Sequence, residues 1–279
     1  MALKTWLITG ANSGFGRLMA EKLLVRGDRV FGTVRTAAAV DDLAREYPSR
    51  FRSAVLDMTD FPAIRPIVDS AFEAFGTIDV VVSNAGYGLF GAAEEVTDDQ
   101  VLHQIGTNLL GSIQLVRAAL PHLRRQRGGR IIQLSSMHGQ AAFPGSSLYH
   151  ASKWGIEGFI DSVGQEVAPF EIGCTIIEPG AARTDFRHRS AGLPPKIDAY
   201  DISPARGSRR LLEDPASQSP GDPDRMVDIM IASVDQYPAP RRITLGRDAF
   251  DGIHRQLQER LAALGAQKDL AYSTDLADT

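Results

Sequence analysis

Tyr149 and Lys153 stand four residues apart in the run Tyr149-His150-Ala151-Ser152-Lys153. Residues at that spacing on a helix share a face, which sets a phenol beside an ammonium. A free tyrosine has a pKa of about 10, too high for efficient proton exchange near neutrality. A neighbouring cation favours the phenolate and is expected to lower that value, so the pair reads as a proton donor and acceptor. Tyr-x-x-x-Lys alone is a pattern that chance supplies; Ser136, thirteen residues before Tyr149, gives it weight. Ser136 follows an apolar run, residues 130–134, that reads as a strand, and ligands of open α/β sheets sit beyond such strand ends.

A second cluster lies near the start of the chain. An apolar run, residues 3–9, passes into Thr9-Gly10-Ala11-Asn12-Ser13-Gly14-Phe15-Gly16 and then into a helical pattern. Gly10 permits a tight turn, Gly14 lets backbone approach a phosphate, and Gly16 lets the helix pack closely on a sheet. The N–H groups and positive dipole end of that helix suit a pyrophosphate. The spacing is Gly-x-x-x-Gly-x-Gly, not the Gly-x-Gly-x-x-Gly of the general dinucleotide fingerprint. An acidic residue after the second apolar run would bond a ribose 2′-hydroxyl and repel a 2′-phosphate. This chain has Arg35 and Thr36 there, which suit a phosphate, so NADP(H) is expected in preference to NAD(H).

Both clusters need one sheet to bring them together. Short apolar runs alternate with amphipathic segments, the pattern of βαβ units. Residues 3–9, 29–34, 53–56, 79–82, 130–134, 174–177 and 242–245 read as strands. Residues 15–26, 40–47, 61–75, 97–108, 109–125, 148–168 and 249–264 read as helices, with Gly27 ending the first. The expected fold is α/β: a single Rossmann-type, doubly wound parallel sheet of about seven strands with helices on both faces, spanning residues 1–264. Ligands of such sheets sit beyond the carboxyl ends of the strands, so the glycine loop, Ser136 and Tyr149 are expected to face one crevice. Residues 186–222, rich in Pro, Ser, Gly and charges, read as a mobile, variable substrate loop with a short helix. Residues 265–279 read as a loose tail.

Composition narrows the function classes. The net charge is −4 and no basic stripe occurs, which argues against a nucleic-acid surface. The single cysteine, Cys174, cannot form an internal disulfide and reads as a buried strand thiol. The first apolar run leads straight into the glycine loop with no room for a signal peptide, and residues 80–93 are too short and too broken by glycines to span a bilayer. A cytoplasmic protein is expected. The six histidines show no metal-ligand spacing, so no metal is expected.

With these motifs in view, the chain resembles the short-chain dehydrogenases/reductases of the Tyr-Lys, NADP-preferring type, from about residue 3 to residue 185. The resemblance implies that Thr9, Gly10, Asn12, Ser13, Gly14, Phe15 and Gly16 hold the cofactor, with Asp57 and Met58 near its adenine. Ser83-Asn84-Ala85-Gly86 matches a family segment that begins with asparagine where this chain has serine; Asn84, Ala85 and Gly86 are carried over as cofactor contacts. Pro179, Gly180 and Thr184 match the segment beside the nicotinamide. Asn108, Ser136, Tyr149 and Lys153 fall at the family's catalytic tetrad. There Tyr149 exchanges the proton, Ser136 bonds the reacting oxygen, Lys153 holds the nicotinamide ribose, and Asn108 holds a water that relays protons to Lys153. Relatives commonly associate through the two helices between strands four and five, so a homodimer or homotetramer is expected, with Leu109, Ile113, Val116 and Leu120 on one apolar face.

The substrate side is expected to be apolar: Leu89, Phe90, Met137, His138, Phe143, Phe186 and Leu193 are its candidates. That suggests a hydrophobic ketone or aldehyde and its alcohol, as in ketoreductases and hydroxysteroid dehydrogenases. His150 is read as pointing away from the Tyr149 face, without a role. Two other classes share the fold: a non-catalytic NADP-binding redox sensor or regulator, and an epimerase or dehydratase with a tightly held cofactor.

Overall fold

The computed structural model describes residues 2–214 and 216–276. Seven strands form one parallel sheet: β1 (Thr5–Thr9), β2 (Arg29–Val34), β3 (Phe51–Val55), β4 (Val80–Ser83), β5 (Gly129–Leu134), β6 (Ile172–Pro179) and β7 (Arg242–Leu245). Their order is β3-β2-β1-β4-β5-β6-β7, so the winding reverses between β1 and β4. Beyond the carboxyl ends of these two strands a crevice must open, because their connections leave in opposite directions.

Helices α1 (Gly14–Arg26), α2 (Asp41–Glu46), α3 (Phe61–Phe75), α4 (Asp98–Ile105), α5 (Ser112–Arg125), α6 (Ser147–Val167), α7 (Arg206–Glu213), α8 (Pro223–Ala232), α9 (Arg247–Gly265) and α10 (Lys268–Tyr272) complete the regular structure. Alternate residues of a strand point to opposite faces, and β1 shows the result. Trp6 and Ile8 enter one apolar layer with Leu23 and Leu24 of α1 and Val227 and Met230 of α8. Leu7 enters the other with Val68 of α3, Val116 of α5 and Ile156 and Ile160 of α6. Each such side chain, fully withdrawn from water, contributes roughly 1.5–3 kcal/mol.

Several expected boundaries move. β3 begins at Phe51, because Phe51 fills a core position that the reading from Ser53 left out. β6 extends from Ile172 to Pro179, keeping Gly173 in the strand where a Cβ would lie 2.7 Å from Ala239. The two helices expected at 97–108 and 109–125 are one rod, joined by a π-helical turn over Gly106–Gly111. α8 had no counterpart in the sequence reading, although its start is encoded: Asp222 accepts from the N–H groups of Asp224 and Arg225, and Pro223 occupies the first helical position.

The segment expected to be a mobile loop is tied down. Ala191–Gly192 pairs in parallel with Gly88–Leu89, and the Phe90 N–H donates to the Gly192 carbonyl at 3.0 Å. Glu95, buried, receives the Ile197 N–H at 2.9 Å and the Arg206 guanidinium at 3.0 Å. The expected loose tail is likewise helical at Lys268–Tyr272, though exposed; residues 277–279 lie outside the described residues. The apolar face expected to meet a second subunit is partly consumed at home: Val116 is fully buried, and Leu109, Ile113 and Leu120 pack against the same core.

Candidate active site

The glycine loop closes the carboxyl end of β1. Gly10 and Gly14 have φ values of +70° and +53°, the left-handed region that favours glycine. At Gly16 a Cβ would collide with the Gly10 carbonyl and the Asn84 carboxamide. Ser13 enters α1 in an extended conformation without capping it, so the first-turn N–H groups point outward unbonded by side chains. A pyrophosphate fits this cradle. Thr9, expected as a cofactor contact, ties the switch point: its Oγ1 accepts the N–H groups of Asn84 (2.9 Å) and Ala85 (3.0 Å) and donates to the Val82 carbonyl. Asn84 answers with Nδ2 donating to the Thr9 carbonyl at 2.8 Å. Ser83, the departure from the family segment, buries its hydroxyl without a partner and holds nothing in place.

Arg35 stands exposed at the end of β2 and, among the described residues, forms no ion pair; Thr36 beside it is exposed as well. Asp57 accepts the N–H and hydroxyl of Thr59 at 2.8 and 2.7 Å, which hold its carboxyl below the usual carboxylate range. The Met58 side chain is buried in the core behind the π turn, so only its backbone is left to meet a cofactor. From the other side, Thr184 comes within 3.9 Å of the Cβ position of Gly14, and Ser136 Oγ lies 3.5 Å from the Pro179 carbonyl. Residues 9–16, 84–86, 136 and 179–184 thus converge on one crevice.

On α6, Tyr149 is 6% exposed and Lys153 equally buried, the ammonium 5.6 Å from the phenol ring centre. Lys153 Nζ donates to the carbonyl of Leu134, the last residue of β5, at 2.9 Å. The expected acidification of the phenol by Lys153 is not what this geometry produces. Burial pushes Tyr149 up to about 12, with the Ser136 hydroxyl pulling the other way, and burial pushes Lys153 down to about 8, with Glu157 opposing. Two groups withdrawn together from water each lose stability in the charged form, and the ammonium is aimed at a carbonyl, not at the phenol oxygen.

Asn108 sits inside the π turn, a distortion that often marks functional positions. Its carboxamide accepts the Tyr87 N–H at 3.0 Å and donates to the Tyr87 carbonyl at 2.8 Å and to Ser152 Oγ at 3.2 Å. The side chain fixes the 84–87 turn against α6. Gly86 leaves room for it: a Cβ there would lie 3.1 Å from Asn108 Oδ1.

An aromatic shell surrounds Tyr149. Phe90 lies 5.5 Å, His138 5.1 Å and Phe186 6.4 Å from its ring, and Phe143 lies 5.3 Å from His138. Leu89 is buried in the two-residue strand beneath, and Leu193 is half-buried beyond it. Met137 turns aside, its methyl 2.8 Å from the Cβ position of Gly252 on α9. His138 Nδ1 is 3.2 Å from Ser136 Oγ, and burial drives its imidazole down to about 3, so it is neutral. His150 has a part after all. Its Nδ1 donates to the His138 carbonyl and its Nε2 accepts the Phe143 N–H, both at 2.8 Å, holding the turn that carries His138. No periodicity signals those partners, which lie in an irregular loop. Among the described residues, no group of three or more His, Cys, Asp or Glu side chains is placed to hold a metal, and no helix is long and apolar enough to cross a membrane.

Residues 4–192 match the family model described as short chain dehydrogenase. The chain is similar in structure to a short-chain dehydrogenase from Streptomyces avermitilis, with a TM-score of 0.91 and 35% identity over 99% of this chain and 100% of that one. In sequence it is similar to the 3-ketodihydrosphingosine reductase of Bacteroides thetaiotaomicron, 37% identical over 180 residues covering 64% of each protein. It is also 30% identical, over 70% of its length and 71% of the other's, to the NADPH-dependent 3-dehydrocapnine reductase of Ornithobacterium rhinotracheale.

Proposed function

This chain belongs to the short-chain dehydrogenase family, and from that premise we propose that it is an NADP(H)-dependent oxidoreductase that interconverts a hydrophobic ketone or aldehyde and its alcohol. The carrying observation is a buried phenol, Tyr149, in the crevice shared by Ser136 and the uncapped start of α1. The outward N–H groups of residues 14–16, with Asn12 and Ala85 beside them, would hold the pyrophosphate, Arg35 and Thr36 the 2′-phosphate, and Gly180 and Thr184 the nicotinamide end. When bound, the cofactor supplies or accepts the hydride.

The chain's own residues do the rest. Tyr149, kept protonated near neutrality by burial, gives its proton to the carbonyl oxygen. Ser136 donates to the same oxygen as negative charge grows there. Lys153, its ammonium on the Leu134 carbonyl, would hold the nicotinamide ribose from beside Tyr149. Phe90, Phe186 and Phe143 exclude water and favour an apolar substrate. The names of two relatives, both reductases, favour assaying the chain in the reducing direction. A homodimer or homotetramer belongs to the same reading: Leu102 on α4 and Leu110 in the π turn remain exposed beside the apolar face.

The test is NADPH consumption, with NADH as comparator, over ketones of increasing apolar length, including long-chain 3-oxo compounds. Tyr149→Phe is expected to reduce kcat by about 10²–10⁴-fold and leave the NADPH Kd nearly unchanged. NADPH binding without consumption on any ketone would sink the enzymatic reading and favour a sensor.

A further inference from the structure

We propose that Glu157 is a positioning residue of this site: from the turn of α6 after Lys153 it clamps the 135–140 turn that carries Ser136 and His138, and it sets a carboxyl group one helical turn from Lys153 on the same face. The inference rests on the catalytic reading above.

Glu157 is 2% exposed, and a buried carboxylate persists only where its lone pairs meet donors. It meets three. Ser135 Oγ donates to Oε1, Gln140 Nε2 to Oε2, and Arg242 Nη1 on β7 to Oε2. Ser135 and Gln140 bracket Ser136 and His138, so one carboxylate holds both ends of the turn. The turn passes so close that a Cβ on Gly139 would collide with Glu157 Oε1. Arg242 is shared with Glu178 of β6 at 2.6 Å and with Asp161 of α6, and Thr244 Oγ1 donates to Glu178 at 2.9 Å.

The groups facing Glu157 are therefore Ser135 and Gln140 from the turn, Lys153 and Asp161 from its own helix, and Arg242 from β7, with Glu178 of β6 reached across Arg242. Burial raises the Glu157 carboxyl, the Ser135 hydroxyl and the Arg242 guanidinium hold it down, and the Glu178 charge adds to the rise. Lys153, four residues earlier, meets the Leu134 carbonyl and the Tyr149 ring; burial pulls its pKa down and the Glu157 charge opposes this. The Ser136 hydroxyl is held by His138 of the same turn and, at 3.5 Å, by the Pro179 carbonyl of β6, so its place depends on where the turn lies, and a displacement of about 1 Å in a reacting group costs on the order of 100-fold in rate.

Position and charge separate experimentally. Glu157→Gln keeps the shape and removes the charge; Ser135→Ala keeps the charge and loosens the turn. For ketone reduction with NADPH, Glu157→Gln is expected to lower kcat about 10- to 100-fold with ketone KM and NADPH Kd within about threefold. In lysine-selective ¹³C NMR of the protein without cofactor, the Lys153 midpoint, near 8 in the native protein, is expected to fall in Glu157→Gln, and the alkaline limb of kcat to move down with it. Ser135→Ala is expected to lower kcat and leave that midpoint in place. Native kcat in Ser135→Ala overturns the clamp, and an unmoved Lys153 midpoint in Glu157→Gln overturns the charge. Should Glu157→Gln not fold, Glu157→Asp decides: the charge stays while the carboxylate withdraws, so kcat must fall with the midpoint kept, and native kcat refutes the proposal. If the native protein reduces no ketone, the catalytic reading fails, while the NMR midpoint still decides the Glu157–Lys153 coupling.

Discussion

His150 grips the backbone of Phe143: its Nε2 accepts the Phe143 N–H at 2.8 Å, seven residues back along the chain. The other ring nitrogen donates to the His138 carbonyl, so the tautomer is set by its partners. Burial lowers the pKa of both imidazoles, which makes the neutral pair part of the folded structure.

That arrangement predicts acid sensitivity. The pKa of His138 lies at about 3 when folded and near the ordinary imidazole value of 6.5 when unfolded, the burial of the ring being the main cause. Between those values the unfolded chain binds a proton that the folded chain does not. The stability is therefore complete above pH 6.5 and is lost as pH falls toward 3, by no more than about 1.4 kcal/mol per pH unit for one group. Urea unfolding at several pH values is expected to show this slope, and His138→Gln to flatten it. An equal slope in both proteins would assign the acid loss to other groups.

Arg35 is expected to decide cofactor choice. Its guanidinium is exposed and free to pair with a phosphate, and hydrogen bonds to charged groups are worth about 1.5–3 kcal/mol. Arg35→Ser should weaken NADPH about 10- to 100-fold and leave NADH nearly unaffected, as read by titration of cofactor fluorescence. Equal loss for both cofactors would point to a general disturbance of the loop.

Gly16→Ala tests the glycine cradle. The added methyl meets backbone and the Asn84 carboxamide, neither of which swings aside freely. Overpacking of this kind costs about 1–3 kcal/mol. A lower melting temperature together with weaker NADPH binding is expected; native values of both would show that α1 can shift without cost.

Glu95 is expected to hold the segment above the crevice. Glu95→Gln leaves the buried Arg206 with Asp201, also at 3.0 Å, and the Ile197 carbonyl at 2.7 Å, and removal of one partner from a buried pair costs up to about 3–5 kcal/mol. Hydrogen exchange should accelerate over residues 191–206, with a larger change in ketone KM than in kcat. Unchanged protection there would mean that the Gly88–Leu89 pairing suffices by itself.

The seven strands, the alternation of helices and the glycine loop were legible because they are local. A period of two or of 3.6, or glycines around a turn, shows in a short window. The same holds for Tyr149 and Lys153, whose shared helix face follows from a spacing of four.

Proximity between distant segments and the withdrawal of water were decided only by the tertiary structure. Glu95 meets Ile197 across 102 residues, and Arg242 meets Glu157 across 85. From the π turn, Asn108 reaches both Tyr87, 21 residues back, and Ser152, 44 residues on. The protonation of Tyr149 turned on burial, which reversed the direction that its neighbour's charge alone suggested. Local order is written in nearest neighbours along the chain, whereas pKa values and buried ion pairs depend on the dielectric and partners that exist only once the layers have packed.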